Sequence, residues 1–198
     1  MVGIIDYEAG NIRSVENALK RLGADYILSR DASVLSECDR LLLPGVGEAG
    51  WAMMKLKERN LVDFIRNTGQ PLLGICLGMQ LLCEWSEEGN VECLGVFGCR
   101  VRHFRTALSR TSGLKIPHMG WNSISSLGTA LFDRIQNGEY MYFVHSYFAD
   151  ICEDTAAVTE YGLPFSAALC RGNFMGCQFH PEKSGDAGER VIANFLEM

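Results

Sequence analysis

Short apolar runs alternate with amphipathic stretches through the first half of the chain, and this alternation decides the fold class. The apolar runs are Val2–Asp6, Tyr26–Leu28, Leu41–Leu43 and Pro71–Ile75. Between them, hydrophobic residues recur every three or four positions, which is typical of helices with one buried face. Strands that are apolar throughout indicate a parallel sheet covered by helices on both faces.

The second half has a different pattern. From Val91 to Phe179 the candidate strands are short and alternating, and Gly172-Asn173 predicts a hairpin between Ser166–Arg171 and Phe174–Phe179. A closing helix is predicted over Ala187–Leu196. We therefore expect an α/β fold with a flavodoxin-like, open, mostly parallel central sheet and a smaller, largely antiparallel sheet from the second half. The length of 198 residues, without a repeat or linker, predicts one domain over 1–198.

Composition excludes several classes of protein. Lys and Arg number 18 against 24 Asp and Glu, a net charge of −6 with no basic run, which argues against nucleic-acid binding. No window approaches the ~20 apolar residues of a membrane-spanning helix, and the first residues lack the pattern of a signal peptide. The eight cysteines have neither C-x-x-C nor zinc-site spacing. We expect a cytoplasmic protein with reduced thiols, no cofactor, no metal and no membrane contact.

A candidate nucleophile lies in Gly74-Ile75-Cys76-Leu77-Gly78, between an apolar strand and a helix. A turn of the form G-x-nucleophile-x-G holds its central residue in a strained conformation and exposes it at the carboxyl end of the sheet. A thiol at a helix N-terminus also has its nucleophilic thiolate form favoured. The alternative is a small core cysteine in a glycine turn.

A candidate base follows about 100 residues later. His180 ends a predicted strand, and Glu182 two residues on points to the same side, with Pro181 limiting the movement of the pair. Glu182 would orient His180, and His180 would reach Cys76. The alternative is a strand-end histidine that caps a turn. His145, within an apolar strand and without a carboxylate at the second following position, is the rival base, which we interpret as structural.

Pro44-Gly45-Val46-Gly47 ends a strand at the same edge of the predicted sheet. Its two glycines allow backbone N–H groups to face a ligand, so a peptide that flips there would supply or withdraw an oxyanion donor. A tight strand-to-helix turn is the alternative.

These three segments together resemble the class I (triad) glutamine amidotransferase family in their order and spacing. The resemblance covers the whole chain and is closest to the glutaminase subunits of imidazole glycerol phosphate synthases. The stretches that carry the closer match are Asp6-Tyr7 with Gly10-Asn11-Ile12, Pro117–Asn122, Tyr142–Tyr147 and His180–Ser184.

The resemblance implies an activity and a set of site residues. Cys76, His180 and Glu182 would release ammonia from glutamine through a thioester. The implied oxyanion donors lie at Gly45, Val46 and Leu77. The implied glutamine-binding residues are Gly47, Gln80, Glu88, Ser146 and Tyr147. The implied partner interface contains Asn11, Trp121, Tyr142 and Lys183. A solvated acidic face remains the alternative for Glu88, and core packing remains the alternative for Trp121.

The resemblance also implies a partner. In this subfamily the ammonia passes to a separate (β/α)₈-barrel cyclase, which converts the ribonucleotide PRFAR into imidazole glycerol phosphate and AICAR in histidine biosynthesis. The glutaminase subunit forms a heterodimer with the cyclase and stays nearly silent until the cyclase is loaded. Two alternatives remain open from the sequence: a paralogous glutaminase that feeds a sugar-amidating synthase in surface polysaccharide synthesis, and a stand-alone cysteine hydrolase.

Overall fold

Strands and helices alternate through residues 1–8, 12–108 and 113–198, which are the parts of the chain that the computed structural model describes. The strands are β1 (Val2–Ile5), β2 (Tyr26–Ser29), β3 (Arg40–Gly45), β4 (Leu72–Cys76), β5 (Cys83–Ser86), β6 (Val91–Glu92), β7 (Phe97–His103), β8 (His118–Ser123), β9 (Tyr140–His145), β10 (Tyr147–Ala149), β11 (Thr155–Glu160), β12 (Pro164–Arg171) and β13 (Phe174–Cys177). The α-helices are α1 (Ile12–Arg21), α2 (Ala32–Ser36), α3 (Ala49–Glu58), α4 (Leu61–Asn67), α5 (Leu77–Leu82), α6 (Phe104–Ala107) and α7 (Gly185–Glu197). Short 3-10 helices cover Glu88–Asn90, Ala130–Phe132 and Pro181–Lys183.

The central sheet has the order β2-β1-β3-β4-β13-β12-β10-β7-β5-β6, and β11 pairs with β12 at the side of this path. Its first five strands are mutually parallel and follow the flavodoxin-like order. The predicted α/β fold class is therefore confirmed. The second-half strands are mostly antiparallel, as predicted, but most of them extend the central sheet, because β13 pairs directly with β4. Only β8 and β9 form a separate two-stranded sheet among the described residues.

Helices cover both faces of the parallel strands. On one face, α1 and α7 bury Leu19, Val191 and Phe195 in a core shared with Ile4 of β1. On the other face, α2 to α5 bury side chains in a second core, which contains the next residue of the same strand, Ile5. Successive strand residues therefore serve opposite cores, which explains why these strands are apolar throughout. No helix of the described residues is both long and apolar enough to cross a lipid bilayer.

Helix α5 ends earlier than its periodicity indicates. The sequence predicts a helix that continues through Cys83, whereas the structure ends α5 at Leu82 and begins β5 at Cys83. The N–H groups of residues 94–96 donate to the carbonyls of residues 81–83 at 2.8 Å, so these carbonyls are not available to a longer helix. The chain then enters the sheet, where β5 pairs in parallel with β7.

Candidate active site

Cys76 occupies a strained turn where β4 meets α5. Its backbone has φ 53° and ψ −108°, in the left-handed region that disfavours residues with a side chain. A Cβ on Gly78 would overlap the carbonyl oxygen of Leu43, and a Cβ on Gly74 would lie 2.7 Å from the backbone of Gly78. The two glycines thus let α5 rest directly on the strand backbones, and the predicted turn geometry is present.

The turn opens into a cavity of about 380 Å³ at the carboxyl edge of the parallel strands. The cavity is lined by Val46, Gly47, Cys76, Leu77, Gln80, Glu88, Pro117, Val144, His145, Ser146, Tyr147, His180 and Lys183. All five residues expected to bind glutamine are among them. Glu182 and Gly45 lie just behind this wall, beside His180. Asn11, expected at the partner interface, lies outside the described residues.

His180 and Glu182 form a buried pair next to this cavity. The distance from Nδ1 of His180 to Oε1 of Glu182 is 2.8 Å, and both side chains are almost fully buried. Burial alone would lower the pKa of His180, but hydrogen bonding and charge from Cys76 and Glu182 outweigh it and raise the pKa to about 10. Nε2 of His180 makes no hydrogen bond of good geometry within the described residues. One nitrogen of the ring is therefore held by a carboxylate, and the other is left for a further partner.

Both ring nitrogens of His145, the rival base, have hydrogen-bond partners outside the Cys76 turn. Its Nδ1 lies 2.7 Å from the carbonyl oxygen of Tyr147, and its Nε2 lies 2.9 Å from Nδ1 of His118. A carbonyl only accepts, so Nδ1 of His145 carries the proton and Nε2 accepts from His118. Burial, and secondarily the other histidines, lower the pKa of His145 to about 3 despite the bond to Tyr147. This arrangement supports the structural interpretation of His145.

The segment expected to hold an oxyanion adjoins the cysteine. Gly45 is the partner of Cys76 in the register of β3 and β4, and Val46 and Leu77 line the cavity. A Cβ on Gly45 would overlap the hydroxyl of Tyr7 and lie 3.0 Å from Cβ of Leu77. Gly47 has φ 113°, a conformation that glycine adopts without strain. The backbone at Gly45 therefore passes close to the start of α5, where the first N–H groups of the helix have no partner within the helix.

Glu88 faces the cavity rather than an acidic solvated surface. It begins a 3-10 helix after β5, is half-buried, and its Oε2 accepts from the N–H of Ala49 at 2.9 Å. Burial raises the pKa of Glu88 to about 6; the bond from Ala49 lowers it and the charge of Glu48 raises it further. A half-buried carboxylate in a cavity is suited to bind a cation.

Gln80 lies one helical turn beyond Cys76, as expected from its spacing. Both protons of its amide nitrogen are used: Nε2 donates to the carbonyl of Tyr147 at 2.9 Å and to Oε1 of Gln178 at 2.8 Å. Its carbonyl oxygen is therefore the group that remains for a ligand.

Gln178 is a site residue that the sequence analysis missed. It is fully buried, and its Nε2 donates to Sγ of Cys76 at 3.7 Å. The available signal was its period-two spacing with His180 and Glu182, which places alternate residues on one side of an extended chain.

Trp121 and Tyr142 lie outside the cavity, on the outer face of the hairpin formed by β8 and β9. They are paired in register, and their rings meet edge to face with centroids 6.0 Å apart. Trp121 is 55% exposed, so the core-packing alternative for it is wrong. On the other side, the carbonyl of Tyr142 accepts from the N–H of His180 at 2.9 Å. Met119 and Tyr140 extend this exposed face, and Val144, the register partner of Met119, lines the cavity, as does Lys183.

No group of three or more His, Cys, Asp or Glu side chains within the described ranges is placed to hold a metal ion. A cysteine in a strained turn thus lies beside a buried pair of a histidine and a carboxylate on a doubly wound α/β sheet. A family model described as "Glutamine amidotransferase class-I" matches residues 3–198. The chain therefore belongs to the class I glutamine amidotransferase family.

The similar curated proteins carry one particular description within this family. Proteins described as "Imidazole glycerol phosphate synthase subunit HisH" are 54% identical in Bacteroides fragilis and 49% identical in Bacteroides thetaiotaomicron, each over 100% of this chain and 99% of its own length. One from Vibrio parahaemolyticus is 47% identical over 100% of this chain and 98% of its own length.

Solved structures share the fold at lower identity. A crystal structure of a glutamine amidotransferase has a TM-score of 0.75 at 21% identity, with 99% of this chain and 97% of that chain covered. A glutamine amidotransferase from Thermotoga maritima has a TM-score of 0.63 at 18% identity, with 99% of this chain and 81% of that chain covered.

Proposed function

We propose that this chain is the glutaminase subunit of an imidazole glycerol phosphate synthase, acting as one domain over residues 1–198. It hydrolyses glutamine to glutamate and ammonia and passes the ammonia to a (β/α)₈-barrel cyclase, which converts PRFAR into imidazole glycerol phosphate and AICAR. The observation that carries the proposal is the cavity where the strained Cys76 turn meets the buried pair of His180 and Glu182. The 47–54% identity to HisH subunits over the full chain supports the choice of partner.

The reaction begins with attack of the Cys76 thiolate on the side-chain amide carbon of glutamine. The tetrahedral oxyanion is stabilised by the N–H of Leu77 and by a backbone donor in the segment 45–47. His180, protonated on Nε2 and held through Nδ1 by Glu182, gives its proton to the departing nitrogen. Ammonia leaves, and the glutamyl group remains on Cys76 as a thioester.

Hydrolysis of the thioester completes the cycle. Neutral His180 accepts a proton from a water molecule, the resulting hydroxide attacks the thioester carbonyl, and the thiolate of Cys76 leaves. Glutamate is released and His180 is again an imidazolium. The carboxylate of Glu182 stabilises that charge in both halves of the cycle, which agrees with the raised pKa of His180.

The cavity walls suit the backbone end of a glutamine substrate. Glu88 would pair with its ammonium group, and the free carbonyl oxygen of Gln80 would accept from the same group. Gly47, Ser146 and Tyr147 would contact its carboxylate and main-chain atoms.

The outer face of the β8–β9 hairpin would dock the cyclase. Trp121, Met119 and Tyr140 form an exposed, largely apolar patch, and Lys183 lines the cavity. Aromatic and methionine side chains are enriched at the centres of protein interfaces. Trp121, Tyr142 and Lys183 are thus proposed interface residues, and Asn11 stays a prediction from the sequence. The relatives do not favour a sugar-amidating partner or a stand-alone hydrolase.

The proposal is tested by measuring glutamate release from glutamine by the purified chain. The chain is assayed alone and with the cyclase subunit of an imidazole glycerol phosphate synthase that carries its ribonucleotide ligand. We expect low release from the chain alone and a rise of about a hundredfold with the loaded cyclase, at the upper end of allosteric coupling. High release without a partner would contradict the proposal in favour of a stand-alone hydrolase, and no stimulation would contradict the choice of cyclase.

Substitution of two exposed apolar residues, one inside the proposed interface and one outside it, tests the docking surface. Trp121→Ala removes the centre of the proposed interface and should reduce stimulation by the cyclase. Leu28→Ala, at an exposed position of β2 on the edge of the central sheet, should leave it unchanged. Equal stimulation in both variants would remove Trp121 from the interface.

Replacement of Glu88 by glutamine tests the binding of the substrate ammonium. The carboxylate is charged above its pKa of about 6 and neutral below it, so kcat/KM of the wild-type complex should fall as pH drops through 6. Glu88→Gln should raise KM for glutamine by about tenfold to a hundredfold, change kcat little, and remove this acid limb. Steady-state kinetics from about pH 5 to about pH 8 measure both effects.

Glu84→Gln is the matched control, because Glu84 is exposed on β5 in the same acidic segment. It should leave KM and the pH profile unchanged. An unaltered KM in Glu88→Gln would place the ammonium group elsewhere.

A further inference from the structure

The nucleophile has a second polar neighbour besides the histidine, and its role rests on the function proposed for Cys76. Gln178 has no exposed surface, and it directly follows β13, the strand that pairs with β4. Its amide nitrogen lies 3.7 Å from Sγ of Cys76, within hydrogen-bonding range for sulfur. A buried amide needs partners for its polar atoms, and the sulfur is one of them.

The orientation of this amide is fixed by its neighbours. Nε2 of Gln80 lies 2.9 Å from the carbonyl oxygen of Tyr147, which only accepts, so the NH₂ end of Gln80 must face that side. The same NH₂ group lies 2.8 Å from Gln178, which must therefore present its oxygen to Gln80. The remaining end of the Gln178 amide, its NH₂ group, is then the end that faces Cys76.

We propose that Gln178 is a positioning residue that donates a hydrogen bond to the Cys76 thiolate. A donor favours the anionic form of its acceptor, and the effect is strong in a buried site. Unlike His180, an amide has no titratable proton, so Gln178 remains a donor after His180 has given its proton to ammonia.

The bond acts at both ends of the reaction. The sulfur carries a negative charge before it attacks glutamine and again when it leaves the thioester, and it is neutral in between. Gln178 therefore stabilises the nucleophile in the first step and the leaving group in the last step. Gln80, anchored on Tyr147, acts through Gln178 by holding its oxygen.

The test is the rate at which iodoacetamide alkylates Cys76 in the full chain, measured as a function of pH. Peptide mass spectrometry reports the alkylation of each cysteine separately. Gln178→Glu keeps an oxygen for Gln80 but replaces the donor with an acceptor, and Gln178→Met removes both. In each variant we expect alkylation of Cys76 at pH 7 to slow by about tenfold and the midpoint of its profile to rise by about one pH unit. Midpoints unchanged in both variants would overturn the inference.

Controls separate this effect from a general loss of packing. Gln70→Met removes another amide that donates to backbone carbonyls, at the opposite end of the sheet, and should leave the Cys76 profile unchanged. The half-buried Cys170 reports the general accessibility of thiols in every sample. Gln178→Asn keeps the amide one methylene further away, so a smaller rise in midpoint is expected. Equal rises in Gln178→Asn and Gln178→Met would indicate packing alone and overturn the inference.

The outcome is distinguishable from failure of the proposed function. If wild-type chain with the loaded cyclase releases glutamate and Gln178 variants keep the wild-type profile, the inference fails and the function stands. If the wild type releases no glutamate under those conditions, the function fails, whatever the alkylation profile.

Discussion

Replacing Cys76 with serine is expected to lower glutamine-dependent synthesis by the complex by about four orders of magnitude or more. Serine is similar in size and tolerates the same turn, but its hydroxyl is far less acidic and a far weaker nucleophile. Synthesis from added ammonium salts should remain, because ammonia then reaches the cyclase without the glutaminase. The two rates are measured on the same preparation, with glutamine and with ammonium chloride.

Cys170→Ser is the control, since Cys170 is half-buried on β12 and away from the cavity lining. It should keep both rates. Loss of the ammonia-dependent rate in Cys76→Ser would indicate a structural role for Cys76 and contradict its assignment as nucleophile.

Gly78→Ala is expected to destabilise the chain by about 3 kcal/mol or more and to abolish glutaminase activity. The added Cβ would overlap the carbonyl oxygen of Leu43 and lie 2.8 Å from its carbonyl carbon. Both are backbone atoms of β3, so relief requires α5 to move away from the sheet. That movement would displace Leu77 and Gln80 together with the turn that carries Cys76.

The free energy of unfolding in urea measures the loss, and Gly69→Ala supplies the comparison. Gly69 does not have a positive φ, and a Cβ there would meet nothing within 4 Å. Its replacement should change stability by less than about 1 kcal/mol. A Gly78→Ala protein as stable and active as Gly69→Ala would show that the close approach of α5 to β3 is dispensable.

The parallel half of the fold could be predicted because its signals are local. Each apolar run lies beside a stretch of helical periodicity, and the glycines on both sides of Cys76 reveal a strand-to-helix turn within five residues. Among the second-half strands, the hairpin of β12 and β13 was predicted from Gly172-Asn173 and is confirmed, but the other strand partners could not be predicted in the same way. Whether β13 pairs with β4 depends on contacts between segments about 100 residues apart, and no short motif encodes that choice.

The site residues also differ in whether local sequence or distant contacts reveal them. The pairing of His180 with Glu182 was predicted, because two residues of separation on an extended chain place both side chains on one side. Gln178 follows the same spacing but was missed, since its significance depends on Gln80, 98 residues away in sequence. For Glu88, the run of acids suggested a solvated face as an alternative, whereas the structure ends α5 at Leu82 and places Glu88 in the cavity lining.

In the hairpin of β8 and β9, strand β9 contacts the active site through its backbone and exposes side chains on its outer face. Tyr142 contacts the ring of Trp121 outside, accepts from the N–H of His180, and donates its own N–H to Oγ of Ser184 inside. These inner contacts are made by the backbone of Tyr142, so a side-chain substitution on the outer face leaves them in place. A docking partner that displaces the strand itself would also displace the backbone that holds His180, and a change in how the partner seats on this face is therefore expected to change the turnover rate as well.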